Sequence, residues 1–210
     1  MNKLYFLGAG GFARELYSYI KEYDFEYRNY QFAGFLSDYS DDLDDFDMIH
    51  GVVDNIRSDK VLEGDAILIA VANCKLKDEL YHYYKNKNCE ILSFIHPMAY
   101  VGNNVTIGDG SVICPYATLT ADIEVGKGVL INAHSSIGHD AVIGNFSTLS
   151  GHCDITGGVS VGERVMFGSH ALVIPNKVVE SDSIVGAGSV VVKKVKSGTT
   201  VFGNPAKKIK

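Results

Sequence analysis

The sequence has no tryptophan, only four prolines and only four cysteines among its 210 residues. The cysteines (Cys74, Cys89, Cys114 and Cys153) show no C-x-x-C spacing, which argues against a thiolate metal site and favours reduced thiols. No apolar run is long enough to span a membrane, and the N-terminus lacks the basic and apolar regions of a signal peptide. We therefore expect a cytoplasmic protein without membrane insertion.

Positive charge is also scarce. The 19 Lys and Arg residues are outnumbered by 25 Asp and Glu, and the formal net charge of −6 argues against a nucleic-acid partner. A hydrophobic content of 46% and a charged content of 21% are typical of a soluble globular protein. The length allows one or two domains.

A six-residue repeat runs from Val101 to Lys196 without an insertion or deletion. The first position of all 16 hexads is apolar, and the second is glycine in eight of them. The apolar positions are Val101, Ile107, Ile113, Leu119, Val125, Ile131, Ile137, Ile143, Leu149, Ile155, Val161, Phe167, Val173, Val179, Val185 and Val191. This period is typical of a parallel β-helix with three short strands in each coil. At three hexads to a coil, the repeat predicts a little over five coils.

The segment 1–95 shows a different pattern. Apolar runs predict strands over 4–7, 31–36, 65–72 and 90–95, and helical spacing predicts helices over 12–22 and 77–87. This alternation is typical of a small α/β domain with a parallel sheet. We therefore expect an α/β domain over 1–95, a β-helix over 96–196 and a C-terminal tail over 197–210.

A glycine-rich loop, Gly8-x-Gly10-x-x-Ala13, lies between the first predicted strand and helix. Glycines there let the backbone approach a phosphate, and the helix N-terminus supplies N–H donors. An acid that binds the ribose is expected at the end of the second strand, where Asp38 stands. The loop therefore predicts phosphate or nucleotide binding. A tight strand–helix turn without a ligand is the alternative.

Three histidines of the repeat, His134, His152 and His170, are one coil apart and occupy the fourth position of their hexads. We expect them to lie one above another on one edge, about 5 Å apart. A metal site is one interpretation, because His134 and His139 have a spacing that β-helical carbonic anhydrases use for two zinc ligands. Neither position two coils earlier is histidine, so the third ligand has no counterpart. We favour a stacked surface or a subunit-contact ladder, with no metal.

His139 and Asp140 favour acid–base chemistry. A neutral imidazole can accept a proton near physiological pH, and a neighbouring carboxylate can orient the ring and stabilise its protonated form. An exposed corner histidine without a catalytic role is the alternative.

The α/β start, the hexapeptide repeat, the segment Asn132 to Gly144 and the ending Gly203-Asn204-Pro205-Ala206-Lys207 together resemble a known family. It comprises bacterial sugar O-/N-acetyltransferases of the sialic acid O-acetyltransferase type, and the resemblance is greatest to enzymes acting on nucleotide-linked 4-amino-4,6-dideoxy sugars. It implies a Rossmann-like half domain followed by a left-handed parallel β-helix. It also implies a homotrimer with acetyl-CoA between subunits.

The resemblance further implies roles for individual residues. His139 would be the general base, supported by Asp140, with Asn132 near the reacting centre. Gly157 would stabilise the oxyanion, and Ser169 and Ala187 would line the acetyl-CoA groove. The nucleotide-sugar site would comprise Gly10, Gly11, Phe12, Ser37, Asp38, Ala72 and Asn73.

The predicted function is therefore acetyl-CoA-dependent N-acetylation of a nucleotide-linked amino sugar for a surface polysaccharide or glycan, with no metal required. Sugar O-acetylation of the sialic acid type is the nearest alternative, because the same base and coenzyme serve both reactions. A metal-dependent β-helical hydratase and a non-catalytic assembly protein are more distant alternatives. The nucleobase of the sugar nucleotide, which could be uracil, thymine or guanine, stays open because Phe12 and Ser37 differ from the residues of close relatives.

Overall fold

A computed structural model describes residues 2–210 of the chain. They form two compact units, one ending at Leu92 and the other beginning at Ser93. The boundary predicted after position 95 lies three positions further along. None of the helices within the described residues has the length and apolar character needed to cross a bilayer.

The first unit is a mostly parallel sheet with two helices. Its elements are β1 (Lys3–Leu7), α1 (Gly11–Lys21), β2 (Glu26–Tyr27), β3 (Tyr30–Leu36), β4 (Val52–Asp54), β5 (Ala66–Ile69), α2 (Cys74–Asn86) and β6 (Glu90–Ile91). The strand order is β2-β3-β1-β5-β6, with β4 also paired to β3, and only the β2–β3 pair is antiparallel. All four residues of β5 are buried, as expected for a strand covered on both faces. The parallel α/β unit predicted from the sequence is confirmed.

Three details differ from the sequence prediction. Helix α2 begins at Cys74 rather than at Lys77, because the side chain of Asn73 caps it. The single strand predicted over 90–95 is two strands, since β6 pairs with β5 whereas Phe94–Ile95 pairs within the second unit. The short strands β2 and β4 lie where none was predicted, in segments without a regular apolar pattern.

The second unit is a parallel β-helix with three faces. Face I contains β7 (Phe94–Ile95), β10 (Val112–Ile113), β13 (Leu130–Ile131), β16 (Thr148–Leu149), β19 (Met166–Phe167), β22 (Ile184–Val185), β24 (Thr200–Phe202) and the antiparallel β25 (Lys207–Lys208). Face II contains β8 (Tyr100–Val101), β11 (Thr118–Leu119), β14 (Ser136–Ile137), β17 (Asp154–Ile155), β20 (Leu172–Val173) and β23 (Val190–Val191). Face III contains β9 (Thr106–Ile107), β12 (Glu124–Val125), β15 (Val142–Ile143), β18 (Ser160–Val161) and β21 (Val178–Val179).

Each strand of a face pairs with the strand one coil further along, so that Ile137 lies between Leu119 and Ile155. The hexad positions from Ile113 to Val191 are each at most 4% exposed and form a continuous core. Val101 is 37% exposed because it lies in the first strand of its face, with no coil before it. The parallel β-helix predicted from the repeat is therefore confirmed.

The corners between faces have one repeated backbone conformation. Every sixth residue from Asn104 to Gly188 has a positive φ, between 53° and 74°. These residues are Asn104, Gly110, Tyr116, Asp122, Gly128, His134, Asp140, Phe146, His152, Gly158, Arg164, His170, Asn176, Asp182 and Gly188. The left-handed conformation favours Gly, Asn, Asp and His, which together hold 12 of the 15 positions. The fourth hexad position is thus the turn that sends the chain from one face to the next.

Candidate active site

His139 and Asp140 lie at the corner between faces II and III, after β14 and before β15. Their side chains are 71% and 67% exposed, so both are accessible from solvent. Asp140 has the positive φ of the corner turn, which Asp tolerates better than most residues. The turn therefore places two polar side chains side by side on the outside of the β-helix.

The two side chains are hydrogen-bonded. His139 Nδ1 lies 2.7 Å from Asp140 Oδ2. Because an ionised carboxylate can only accept a hydrogen bond, Nδ1 carries the hydrogen and donates it. In a neutral imidazole, this tautomer leaves Nε2 with the free lone pair that a general base needs.

The imidazole of His139 lies over Gly157, which occupies the same hexad position one coil further along. A Cβ atom at Gly157 would come within 2.7 Å of His139 Nε2 and 2.8 Å of Cε1. Only glycine therefore leaves the ring in this position. The Gly157 N–H has no acceptor within residues 2–210, whereas its carbonyl accepts from the Asn176 N–H at 3.1 Å. A free lone pair and an unpaired N–H donor thus lie close together.

The other three predicted residues of this site lie at a different corner, between faces I and II. Asn132 is there, with its Oδ1 accepting from the Ala133 N–H at 2.6 Å. Ser169 and Ala187 follow along the same corner, one coil apart. Within one chain they are separated from His139 by the width of face II. A single subunit therefore does not bring the six residues together.

The histidine ladder forms as expected at the corner between faces I and II. The rings of His134 and His152 lie 4.8 Å apart and those of His152 and His170 lie 4.7 Å apart, with planes within 5° of parallel. Tyr116 extends the stack, 4.8 Å from His134. Because Tyr116 lies one coil before His134 in the repeat, the sequence could have placed it in the stack. The arrangement is a stack of rings, and residues 2–210 contain no cluster of three or more His, Cys, Asp or Glu side chains arranged for a metal.

The predicted phosphate loop connects β1 and α1. Gly8 has φ +109°, and a Cβ there would lie 2.6 Å from Val71 Cγ1, so the turn requires glycine. Gly10 is the N-cap of α1 without a side-chain cap, and both Gly10 and Gly11 are exposed. Phe12 follows in the first turn and is half-buried. The N–H groups of this turn are therefore open to an anion.

Ser37 and Asp38 directly follow β3. The Gly8 N–H donates to the Leu36 carbonyl at 2.8 Å, so these residues lie at the same sheet edge as the phosphate loop. Ser37 is buried and its Oγ donates to Asp42 Oδ2 at 2.6 Å, whereas Asp38 is exposed and accepts from the Ile56 N–H at 3.2 Å. Asp38 is therefore the member of the pair that faces solvent.

A cavity of about 320 Å³ opens beside this pair. Sequence reasoning missed several of its residues, because β4 was not predicted. The lining residues are Ser37, Asp38, Ser40, Val52, Val53, Asp54 and Asn55. The pKa of the Asp54 carboxyl is lowered, chiefly by the hydrogen bond from Ser58 Oγ.

Ala72 and Asn73 lie between β5 and α2. Asn73 is exposed to solvent, and its Oδ1 accepts a hydrogen bond from the Leu76 N–H at 3.0 Å. This side chain therefore has a structural role as the N-cap of α2, a role that the family resemblance did not indicate.

Comparisons with known proteins agree with this architecture. Residues 3–84 match the PglD N-terminal domain, and residues 93–121 match the bacterial transferase hexapeptide (six repeats). The first unit therefore resembles a PglD N-terminal domain, and hexapeptide repeats follow it. The family resemblance predicted from the sequence is confirmed.

Three solved structures resemble this chain over its whole length. WeeI from Acinetobacter baumannii is 27% identical, with 100% of both chains covered and a TM-score of 0.86. PerB from Caulobacter crescentus, in complex with CoA and GDP-perosamine, is 26% identical over 100% of this chain and 98% of that one, with a TM-score of 0.86. The acetyltransferase domain of PglB from Neisseria gonorrhoeae, in complex with acetyl coenzyme A, is 26% identical over 100% of both chains, with a TM-score of 0.83.

Proposed function

We propose that this protein is an acetyl-CoA-dependent N-acetyltransferase that acts on the amine of a nucleotide-linked 4-amino-4,6-dideoxy sugar. One observation carries the proposal: the ring of His139, hydrogen-bonded to Asp140, lies over Gly157, whose N–H has no acceptor within the described residues. Acyl transfer to an amine needs a base and an oxyanion donor close together. The similarity to PerB, solved with CoA and GDP-perosamine, supports the substrate class.

His139 is the general base of the proposed reaction. Its Nε2 accepts the proton that the sugar amine loses as the nitrogen lone pair attacks the thioester carbonyl carbon. Asp140 holds the ring through Nδ1–H and stabilises the imidazolium that forms. No covalent enzyme intermediate is required, since Cys153 is buried in the core and burial raises the pKa of its thiol to about 11.

The Gly157 N–H stabilises the tetrahedral oxyanion. When the carbonyl re-forms, the carbon–sulfur bond breaks and the imidazolium returns its proton to the leaving sulfur. The products are the sugar acetamide and CoA with a free thiol. Atoms and charges balance without a metal or a further reactant.

The first unit would bind the nucleotide part of the acceptor. The open N-terminus of α1 at Gly10 and Gly11 suits the diphosphate. The exposed carboxylate of Asp38, at the same sheet edge, suits hydroxyl or N–H donors of the ribose or base. Asn73 contributes mainly by starting α2 at this edge.

We also propose a homotrimer built from the β-helix. The separation of Asn132, Ser169 and Ala187 from His139 within one chain supports this assembly. A complete site needs the corner between faces I and II of one subunit beside the corner between faces II and III of its neighbour. Acetyl-CoA would then lie in the groove between the two corners. We propose that the trimer acts in the cytoplasm.

The test is thiol release from acetyl-CoA with UDP-, dTDP- and GDP-linked 4-amino sugars and with sialic acid. The wild type should release thiol with one nucleotide amino sugar. His139→Ala should lower kcat about 10²–10⁴-fold and leave the KM for acetyl-CoA nearly unchanged. His82→Ala, which removes an exposed histidine of α2, is the matched control and should behave as wild type.

Other outcomes have distinct meanings. Release with sialic acid alone would make the protein an O-acetyltransferase. Equal turnover by wild type and His139→Ala would remove His139 as the base. Sedimentation equilibrium at the mass of one chain, in an active preparation, would contradict the trimer.

A further inference from the structure

Charge is unevenly distributed around the proposed catalytic base. Residues 88–163 contain seven acidic residues and one basic residue, Lys127. Lys127 belongs to the corner between faces III and I, whereas two of the acids, Asp122 and Asp140, belong to the same corner as His139. The surroundings of the base are therefore negative, which favours an acceptor that carries a positive charge.

Asp122 lies one coil before Asp140. Strands β11 and β14 pair in parallel register, and the Asp140 N–H donates to the Ala121 carbonyl at 3.2 Å. Both aspartates have the positive φ of the corner turn, 55° for Asp122 and 60° for Asp140. Because neighbouring strands are about 5 Å apart, the two side chains start from equivalent positions separated by this distance.

The carboxylates of the two aspartates have different partners. Asp140 Oδ2 accepts from His139 Nδ1. Asp122 Oδ1 accepts from Asn104 Nδ2 at 2.9 Å, and Asp122 Oδ2 has no hydrogen-bond or ion-pair partner within residues 2–210. Asp122 is also exposed to solvent. It therefore presents a free carboxylate oxygen beside the His139–Asp140 pair.

The His139 ring has a small neighbour on each side along the β-helix. Gly157, the proposed oxyanion donor, lies one coil after His139, and Ala121 lies one coil before it. The thioester would occupy the Gly157 side, because its carbonyl oxygen needs that N–H. The Ala121 side is then left for the acceptor, and Asp122 is the next residue along the corner.

We infer that Asp122 selects an amine acceptor over a hydroxyl acceptor, by accepting a charge-assisted hydrogen bond from the ammonium group of the sugar. The inference rests on the proposed function. A hydrogen bond between an ammonium and a carboxylate is about twice as strong as one between neutral groups. After the ammonium gives one proton to solvent, an N–H of the neutral amine can still donate to Asp122 while the nitrogen lone pair attacks the thioester. Asp122 would thus separate N- from O-acetylation, which His139 cannot do because the same base serves both reactions.

Asp122→Asn is the variant that tests this role. Asparagine tolerates the positive φ of the corner and keeps an oxygen that can accept from Asn104, so the melting temperature should change little. The variant removes the negative charge and little else. Asp109→Asn is the matched control, because Asp109 is an exposed aspartate of the β-helix at the corner between faces III and I.

The kinetic test uses the nucleotide-linked 4-amino sugar that gives the fastest thiol release with the wild type. In Asp122→Asn, KM for this sugar should rise about 10- to 100-fold, whereas kcat and the KM for acetyl-CoA should change little. Asp109→Asn should match the wild type. An unchanged KM for the sugar in an Asp122→Asn protein with the wild-type melting temperature would overturn the inference and leave the proposed function intact.

A binding test does not depend on catalysis. In calorimetry without acetyl-CoA, the wild type should bind the amino sugar nucleotide at least tenfold more tightly than the analogue with a hydroxyl group at C4. Asp122→Asn should bind the two about equally. Such an Asp122-dependent preference in a protein that acetylates no amine would sustain the inference while the proposed function failed.

Three binding results would overturn the inference. One is equal affinity of the wild type for the amine and the hydroxyl analogue. Another is a preference for the amine that persists in Asp122→Asn, because a different residue would then make the selection. The third is a wild type that binds none of the UDP-, dTDP- and GDP-linked amino sugars, which would contradict the proposed function as well.

Discussion

At the scale of single residues, the proposed site depends on an interaction between two coils. His139 and Asp140 are adjacent in sequence, and their hydrogen bond fixes which imidazole nitrogen is free. Gly157 lies one coil further along, where the absence of a side chain makes room for the ring. The proposed base and the proposed oxyanion donor are therefore positioned by the pitch of the β-helix rather than by a local motif.

Gly157→Ala tests this arrangement. The new Cβ would come within 2.7 Å of His139 Nε2 and push the ring away, so kcat should fall about 10- to 100-fold. The backbone at Gly157 is not in the left-handed region, so the melting temperature should change little. Gly51→Ala, where no atom lies within 4 Å of the new Cβ, is the control. Full activity in Gly157→Ala would contradict the placement of the ring.

At the scale of secondary structure elements, different features set the limits of the strands in the β-helix and of the helices in the α/β unit. In the β-helix, one corner turn with positive φ repeats in each hexad from Asn104 to Gly188. In the α/β unit, the side chain of Asn73 caps the start of α2, whereas α1 follows Gly10 without a side-chain cap. The repeat is thus predictable from its period, whereas a helix end depends on one hydrogen bond.

The cap of α2 can be tested separately from nucleotide binding. Asn73→Ala should destabilise the protein by about 1 kcal/mol, because the Leu76 N–H loses its acceptor. Asn73→Ser keeps an oxygen at the cap and should recover most of this stability. Urea unfolding of the three proteins measures the effect. Equal stability of the Ala and Ser variants would show that the cap contributes nothing.

At the scale of the whole molecule, one buried charge should make stability depend on pH. Lys77 lies on the inner side of α2 and is 2% exposed. Burial lowers the pKa of its ammonium from 10.5 to about 7, with a smaller opposing contribution from Cys74. Between these two values the unfolded chain binds a proton that the folded chain does not bind.

Stability should therefore rise as pH increases from about 7 to about 10, since the unfolded state binds more protons over this range. Lys77→Met should remove most of this rise and should stabilise the protein at pH 7, because no amine has to lose its proton or be buried as a charge. Urea midpoints of wild type and variant at pH 7 and 9 measure the difference. Lys75→Met, at an exposed position of α2, should keep the wild-type pH dependence.

The accuracy of the sequence predictions follows from how local each signal is. The apolar period predicted the β-helix from Val101 onward, and strand–helix alternation predicted the α/β unit. The apolar run 90–95 was assigned to one strand because hydrophobicity alone cannot show which sheet a residue joins. The short strands β2 and β4 were missed because two or three residues are too few for a period.

By itself, the sequence determined the coil length, the core column and the stack of histidines. These features depend on spacing along the chain, which a coil of constant length converts directly into position. Tertiary structure decided that Gly157 lies beneath the ring of His139 and that Asn132 lies at another corner. Such contacts depend on which segments fold against each other, a property that no local pattern specifies.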